Sequence, residues 1–519
     1  MRRKLTYVAA IALGMQIFGS CKSYLDVNPH DLTLETAFYQ NSTQAFQALV
    51  AVYDMAGNQS ISTSYMNKTA IMNVASDDHW AGGASATDIG DLQSVATYSM
   101  TPSYMNGAAG HLWKKGFTGI YRADVLLSKI GSVPGMDDAT RKRYTAEAKF
   151  LRAYFYFDLV RFFKAVPLIL TPTPTDQIYT VVQSPAADIY AQIYKDIAEA
   201  TPDLPVTVPA STEGGRVTQG TAHALLGRIY LWQKDYAKAV TELADVNGTS
   251  PGTAPSKYGY QLVKNFKDLF DPKKKFSSES IFELVYNSTS NTGWGNLSSG
   301  EGNQECILVG PRGYSITTKG AANGAPDYIS GWSGQPYTDD FYNFIHFDPR
   351  KNASVADLDS LEKAGLVTYQ HAYQNTGHFI EKWAGRNSTK AVSGQLELNF
   401  PLDFYEIRLA DTYLMEAEAI IQSGGATGTG SRAYQLLNAV RARVGLNPVA
   451  ATMDNIKKER RAEFAGEGLR WLDLVRWGDA ATKLGYKGFV AGKNEIFPIP
   501  VAETYNSKIE QTKEWGGTK

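Results

Sequence analysis

Residues 459–478 read ERRAEFAGEGLRWLDLVRWG, the pattern of a helix, a glycine break and a second short helix. Gly466 and Gly468 fall where the first helix has to stop, because glycine reaches positive φ without a steric penalty. Beyond them Leu469, Leu472, Leu474, Arg476 and Trp477 make a short amphipathic segment. Arg460, Arg461, Arg470 and Arg476 are interleaved with Glu459, Glu463, Glu467 and Asp473. Such a mixture predicts an ion-pair network that locks two helices together. A catalytic use is the weaker reading, since carboxylates beside arginine stay ionised and make poor acids.

The N-terminus carries a second signal. Arg2, Arg3 and Lys4 precede an apolar run over residues 5–18, broken only by Thr6, Gly14 and Gln16. The run is short for a membrane span and suits a secretory h-region. It ends in Phe18-Gly19-Ser20-Cys21, small residues directly before a cysteine, as in a bacterial lipobox. Acylation of Cys21 would anchor the mature chain, each buried CH₂ contributing about 0.8 kcal/mol. An ordinary cleaved signal with a chance cysteine is the alternative.

Both ends, and several internal strings, resemble the SusD/RagB family of surface nutrient-binding lipoproteins of Bacteroidetes. The matching strings are CKSYLDVNP at 21–29, AEAKFLRAYFYFDLVRFFKAVPL at 146–168, YEIRLADTYLMEAEAII at 405–421, LLNAVRARVGL at 436–446, the 459–478 stretch and NEIFPIPVAET at 494–504. The family more often has Gly near Lys164–Ala165. The resemblance implies a mainly α fold: one large SusD-like domain of degenerate tetratricopeptide-type helical hairpins with a long irregular, loop-rich insertion. The expected layout is a signal peptide at 1–20 and a mature domain at 21–519. The latter divides into a helical part at about 30–245, a loop-rich ligand-binding part at about 246–400 and a helical signature region at about 401–519.

Local patterns agree with that layout. One-sided helices are predicted over residues 44–53 and 112–130. A long helix over 141–164 carries Ala148, Leu151, Phe155, Leu159 and Phe162 on one face and ends before Pro167. Residues 221–243 read as a tetratricopeptide-like hairpin, with Gly227 and Ala239 allowing close helix contact. Residues 281–286 (IFELVY) read as a short strand or helix start, and helices resume at Asp403. Trp113, Trp232, Trp471 and Trp477 lie on predicted helices and are expected in the core.

Composition narrows the function. The 519 residues carry a net charge of −1, and no basic stripe marks a nucleic-acid binder. The chain holds 30 Tyr and 9 Trp, more than packing alone uses, as recognition surfaces do. If Cys21 is lipidated, Cys306 is left alone and no disulfide framework exists. No metalloprotease, nucleophile-elbow or phosphate-loop motif occurs. Glu416 and Glu418 point in different directions on one helix, and Asp77-Asp78-His79 lacks the further ligands of a metal site. Glycosidase carboxylates can lie far apart in sequence, so hydrolysis stays open.

Binding is the preferred reading. Sugars present flat C–H faces ringed by hydroxyls, which aromatic platforms and planar polar side chains grip. In the family, glycan binders use aromatics of the early loops and the long middle insertion. The matching segments here are 76–113 and 290–337. Trp80, Trp294 and Trp332 are the expected platforms with Tyr314, and Asp77, Asp78 and Arg312 the expected polar contacts. The resemblance further implies oligosaccharide capture above a SusC-like TonB-dependent transporter, for which the protein acts as a hinged lid on the outer membrane. The alternatives are a peptide- or glycoprotein-capturing protein of the same architecture and a surface glycoside hydrolase. No cofactor is expected, and the sequence leaves a structural Ca²⁺ undecided.

Overall fold

The computed structural model describes residues 38–61, 66–102, 107–290, 293–294 and 300–519. Cys21 and the expected signal segment lie outside them. Asn41 caps helix Ser42–Gly57 (α1), its side-chain oxygen accepting the Gln44 N–H at 3.0 Å. The short helices Lys68–Ala75 (α2) and Gly90–Ala96 (α3) follow. Ala108–Lys129 (α4) then packs against Asp138–Phe163 (α5). Gly116 and Gly119 let the two approach: a Cβ on either would stand 2.6 Å from Leu159 or 2.3 Å from Phe155.

Helix α5 was expected to bury one face, but it is buried on all sides from Phe150 to Phe163. It is the central helix of the N-terminal half, with α1, α4 and Ala186–Ala200 (α6) around it. Arg152 ties three of these helices together. It forks onto Asp196 of α6 at 2.7 and 2.8 Å and reaches Asp124 of α4 at 2.7 Å. The helix stops at Lys164, which takes φ +66°, the conformation glycine would adopt without strain. Gln219–Trp232 (α7) and Tyr236–Asn247 (α8) form a helical hairpin, with Gly227 against Leu243.

The loop-rich segment is pinned by three two-stranded antiparallel ribbons. Their strands are Ser280–Leu284 (β1), Ser315–Ile316 (β2), Val355–Asp357 (β3), Val367–Thr368 (β4), His378–Ile380 (β5) and Phe404–Arg408 (β6), paired β1–β6, β2–β4 and β3–β5. A small separate core of Tyr314, Tyr328, Leu358, Val367, Tyr369 and Phe379 fills this segment. The expectation that helices resume at Asp403 is corrected by β6. Residues 404–408 are wholly buried strand, and helix begins only at Leu409.

The C-terminal helices are Leu409–Gln422 (α9), Arg432–Arg443 (α10), Met453–Glu463 (α11) and Arg470–Trp477 (α12). Gly466 and Gly468, at φ +73° and +74°, make the break between the last two. The predicted ion-pair network is present and reaches further than two helices. Arg408 of β6 meets Glu279, Glu463 and Glu467, and Arg350 meets Glu459 and Glu463. Arg460 joins Asp411 of α9 to Asp473 of α12, while Arg476 pairs with Glu418. Glu416 instead holds Arg432, so the two glutamates do face apart. Trp113 and Trp471 are core residues, whereas Trp232 and Trp477 are half-buried.

Candidate functional site

The early and middle segments meet as a backbone ribbon. His79 bridges Tyr337 in antiparallel sense. The N–H groups of Trp80, Gly82 and Gly83 donate to the carbonyls of Pro336, Gly334 and Ser333, each at 3.0 Å. On its other side the 331–337 run is held by residues 307–311, with Trp332 N–H on the Ile307 carbonyl at 2.9 Å and Gly334 N–H on Leu308 at 2.7 Å. The approach at Gly82 admits no side chain, since a Cβ there would stand 2.0 Å from the Ser333 carbonyl oxygen. Two non-glycine residues beside this contact have positive φ, Ile89 at +50° and Ser333 at +53°. A left-handed conformation costs a branched residue about 1–2 kcal/mol, and such strain gathers at functional sites.

The ribbon carries aromatic side chains. Trp332 stacks with Trp294, ring centroids 5.9 Å apart and planes 17° off parallel. Trp294 is 39% exposed, while Trp332 and Trp80 are half-buried. A stacked pair adds about 0.5–1.5 kcal/mol beyond its area burial, which fixes the outer ring as a platform. Arg312 lies at the same end. Its Nη2 donates to Asp88 Oδ2 at 3.0 Å and to the Trp332 carbonyl at 3.4 Å. Asp88 Oδ2 also accepts the Ala84 N–H at 2.7 Å, which holds the carboxylate in place. Flat ring faces, a guanidinium and a partly exposed carboxylate are the groups that grip a sugar's C–H face and its hydroxyls.

Of the residues expected at the site, Trp294 and Trp332 stack and Arg312 reaches the Trp332 carbonyl, while Trp80 lies further along the ribbon, opposite Pro336. Asp77 and Asp78 are corrected. Both carboxylates are buried, and each is held by an arginine of the C-terminal network. Arg470 forks onto Asp77 with two 2.8 Å bonds, and Arg461 donates to Asp78 at 2.7 Å. Burial alone would raise the Asp77 carboxyl, but the Arg470 and Arg461 charges outweigh it and hold the group below the usual range. Burial raises Asp78 despite Arg461, and the neighbouring Asp77 charge adds to it. These aspartates hold the turn that presents Trp80. His79 is buried too, and desolvation lowers it to about 3, so it is neutral. Tyr314 is corrected as well: its ring packs in the small separate core, edge-on to Tyr328, and its hydroxyl donates to the Pro326 carbonyl.

The sequence reading did not single out Asp88 or Tyr486. Asp88 falls within the early segment already marked. Tyr486 lies beyond the 459–478 stretch in a short turn with no local signal. Among the described residues, no cluster of three or more His, Cys, Asp or Glu side chains is arranged to hold a metal ion. Cys306 is buried as a free thiol, and among the described residues no helix is long and apolar enough to cross a membrane.

Two family models match the chain: the SusD family over residues 278–515, and "Starch-binding associating with outer membrane" over residues 23–231. A solved structure described as a laminarin binding SusD-like protein is 42% identical. It covers 91% of this chain and 99% of its own, with a TM-score of 0.85. Surface glycan-binding protein A from Bacteroides thetaiotaomicron, solved in complex with laminarihexaose, is 26% identical over 89% of this chain and 97% of its own, TM-score 0.77. SusD-like protein P25 of Formosa agariphila is 23% identical over 93% of each chain.

Proposed function

The chain belongs to the SusD family, and from that premise we propose that it captures an oligosaccharide at the cell surface on its Trp80–Trp332–Trp294 ribbon. The observation that carries this reading is the stacked Trp294–Trp332 pair beside the Arg312–Asp88 ion pair. Main-chain hydrogen bonds hold the backbone that carries Trp80 and Trp332, which limits the ordering that opposes binding there. Laminarin is the first ligand to test, because a 42% identical structure is described as laminarin binding and a second relative holds laminarihexaose. The family description places such proteins in association with the outer membrane. A lipid on Cys21 is the proposed anchor, and a SusC-like TonB-dependent transporter the proposed receiver of the glycan. Capture then needs no bond cleavage by this chain.

The test is calorimetry and affinity-gel migration against plant, host and microbial glycans, laminarin among them, with product analysis for turnover. Binding without hydrolysis is expected. Trp332→Ala removes about 1.5–3 kcal/mol of ring contact, a loss of roughly tenfold or more in affinity. Unchanged affinity in that variant removes Trp332 from the site. Binding of peptides alone favours the peptide-capturing alternative, and released sugars favour the hydrolase.

A further inference from the structure

The other end of the ribbon carries a second aromatic corner. Trp80 meets Tyr486 edge to face, with centroids 6.0 Å apart and planes at 88°. Tyr486 is 63% exposed, yet the turn that carries it is firmly held. The next residue, Lys487, is buried, and its Nζ donates to the carbonyls of Val74, Ser76 and His79 at 2.8, 2.7 and 2.8 Å. The same ammonium lies 5.4 Å from the Trp80 ring centre. Gly488, at φ +100°, closes the turn so tightly that a Cβ there would stand 2.8 Å from the Thr97 carbonyl oxygen. An exposed tyrosine on a turn anchored this way is presented rather than stray.

Polar groups stand beside the corner. The Asp340 side chain is 76% exposed and is held by Arg461 Nη2 at 2.6 Å, the same arginine that grips Asp78. Partial desolvation, then the charges of Asp77, Asp78 and Asp340, push the Tyr486 hydroxyl up to about 12. It therefore remains a hydrogen-bond donor across the neutral range. Two perpendicular rings with a phenol and an exposed, arginine-held carboxylate offer one sugar residue a face, an edge and hydroxyl partners. Pro336 lies opposite Trp80, and Trp332 is four residues further along the same run.

We propose that Trp80 and Tyr486 form a second aromatic subsite, further along the ribbon from the Trp294–Trp332 pair, and that one oligosaccharide chain occupies both. The inference rests on the glycan-binding reading and adds a length requirement to it. A short oligomer fills the Trp294–Trp332 end alone. A longer one reaches the Trp80–Tyr486 corner and gains affinity there.

The experiment is calorimetry of the full chain with laminaribiose and laminarihexaose, in wild type, Tyr486→Ala, Tyr486→Phe and Trp332→Ala. Wild type is expected to bind the hexaose at least about tenfold more tightly than the biose. Tyr486→Ala erases most of that gain and leaves biose affinity within about twofold, Tyr486→Phe erases part of it, and Trp332→Ala weakens both ligands. An unchanged melting temperature in Tyr486→Ala shows that the exposed ring was not holding the fold. Wild-type binding with Tyr486→Ala unaffected at both lengths overturns the second subsite while leaving the glycan-binding reading in place. No wild-type binding of either oligomer overturns the subsite together with the laminarin reading on which it stands.

Discussion

Replacing Asp77 by Asn removes the negative charge that meets Arg470 and separates a positioning role from a ligand-contacting one. Arg470 donates to both Asp77 oxygens at 2.8 Å, and the two side chains are only 13% and 8% exposed. Removing one partner of a buried pair costs about 3–5 kcal/mol, because the other charge is left without a counterion. Arg470 keeps some solvent contact and the charge of Asp78 nearby, so the expected loss is about 3 kcal/mol, the low end of that range. Urea unfolding of Asp77→Asn, Arg470→Met and the double variant measures it. The double variant is expected to be more stable than the sum of the singles predicts, by about 2 kcal/mol, since no orphan charge remains. Laminarihexaose affinity should fall in Asp77→Asn, as the turn bearing Trp80 loosens, and partly return in the double variant. If Asp77→Asn keeps full stability but loses glycan affinity, the carboxylate faces the ligand and the positioning argument fails.

Two further outcomes are expected. Burial pushes Lys487 down to about 7 against the pull of Asp77 and Asp78, whereas an unfolded lysine titrates near about 10.4. Between these values the unfolded chain binds more protons, so this group's contribution to stability is lost as pH falls toward 7 and gained as pH rises toward the unfolded value. Lys487→Met should flatten the rise in urea midpoint between about pH 7 and about pH 9.5 relative to wild type, and an identical rise in both proteins would show that another group sets it. Cys21→Ala should release the protein from the outer-membrane fraction, whereas retention of that variant there would defeat the lipid-anchor assignment.

The helical frame was legible because its determinants are local. The α5 periodicity, Gly466 and Gly468 each act within a turn or two of themselves, and the arginines of 459–478 announce a network even before their partners are known. The strand β6 was not legible. Ile407 falls in step with Ala410 and Leu414, so YEIR reads as the start of α9 until β1, more than a hundred residues earlier, is found beside it. The site divides in the same way. Tryptophans in loop-rich segments stand out: Trp80 and Trp332 lie on the ribbon, and Trp294 stacks on Trp332. A carboxylate, however, looks the same in sequence whether its partner is a sugar or an arginine. Asp77 has Arg470, 393 residues away. Tyr314 misled for a related reason: aromatic residues supply the core of the insertion as well as its surface. Tyr486 is placed by contacts distant in sequence, among them the anchoring of Lys487 to carbonyls of residues 74–79.

The ribbon's registration depends on main-chain hydrogen bonds and on Gly82, not on the identity of the rings it displays. The arginine–carboxylate lattice that secures the fold touches the turn before Trp80 and reaches the displayed surface only where Arg461 holds Asp340. The side chains that secure the fold and the rings that the ribbon displays are therefore largely different sets. On the glycan-binding reading proposed above, such a scaffold is re-addressed to a different ligand by exchanging a handful of outward-facing residues, with the interior left as it is. That separability makes the chain a suitable starting point for engineered capture reagents.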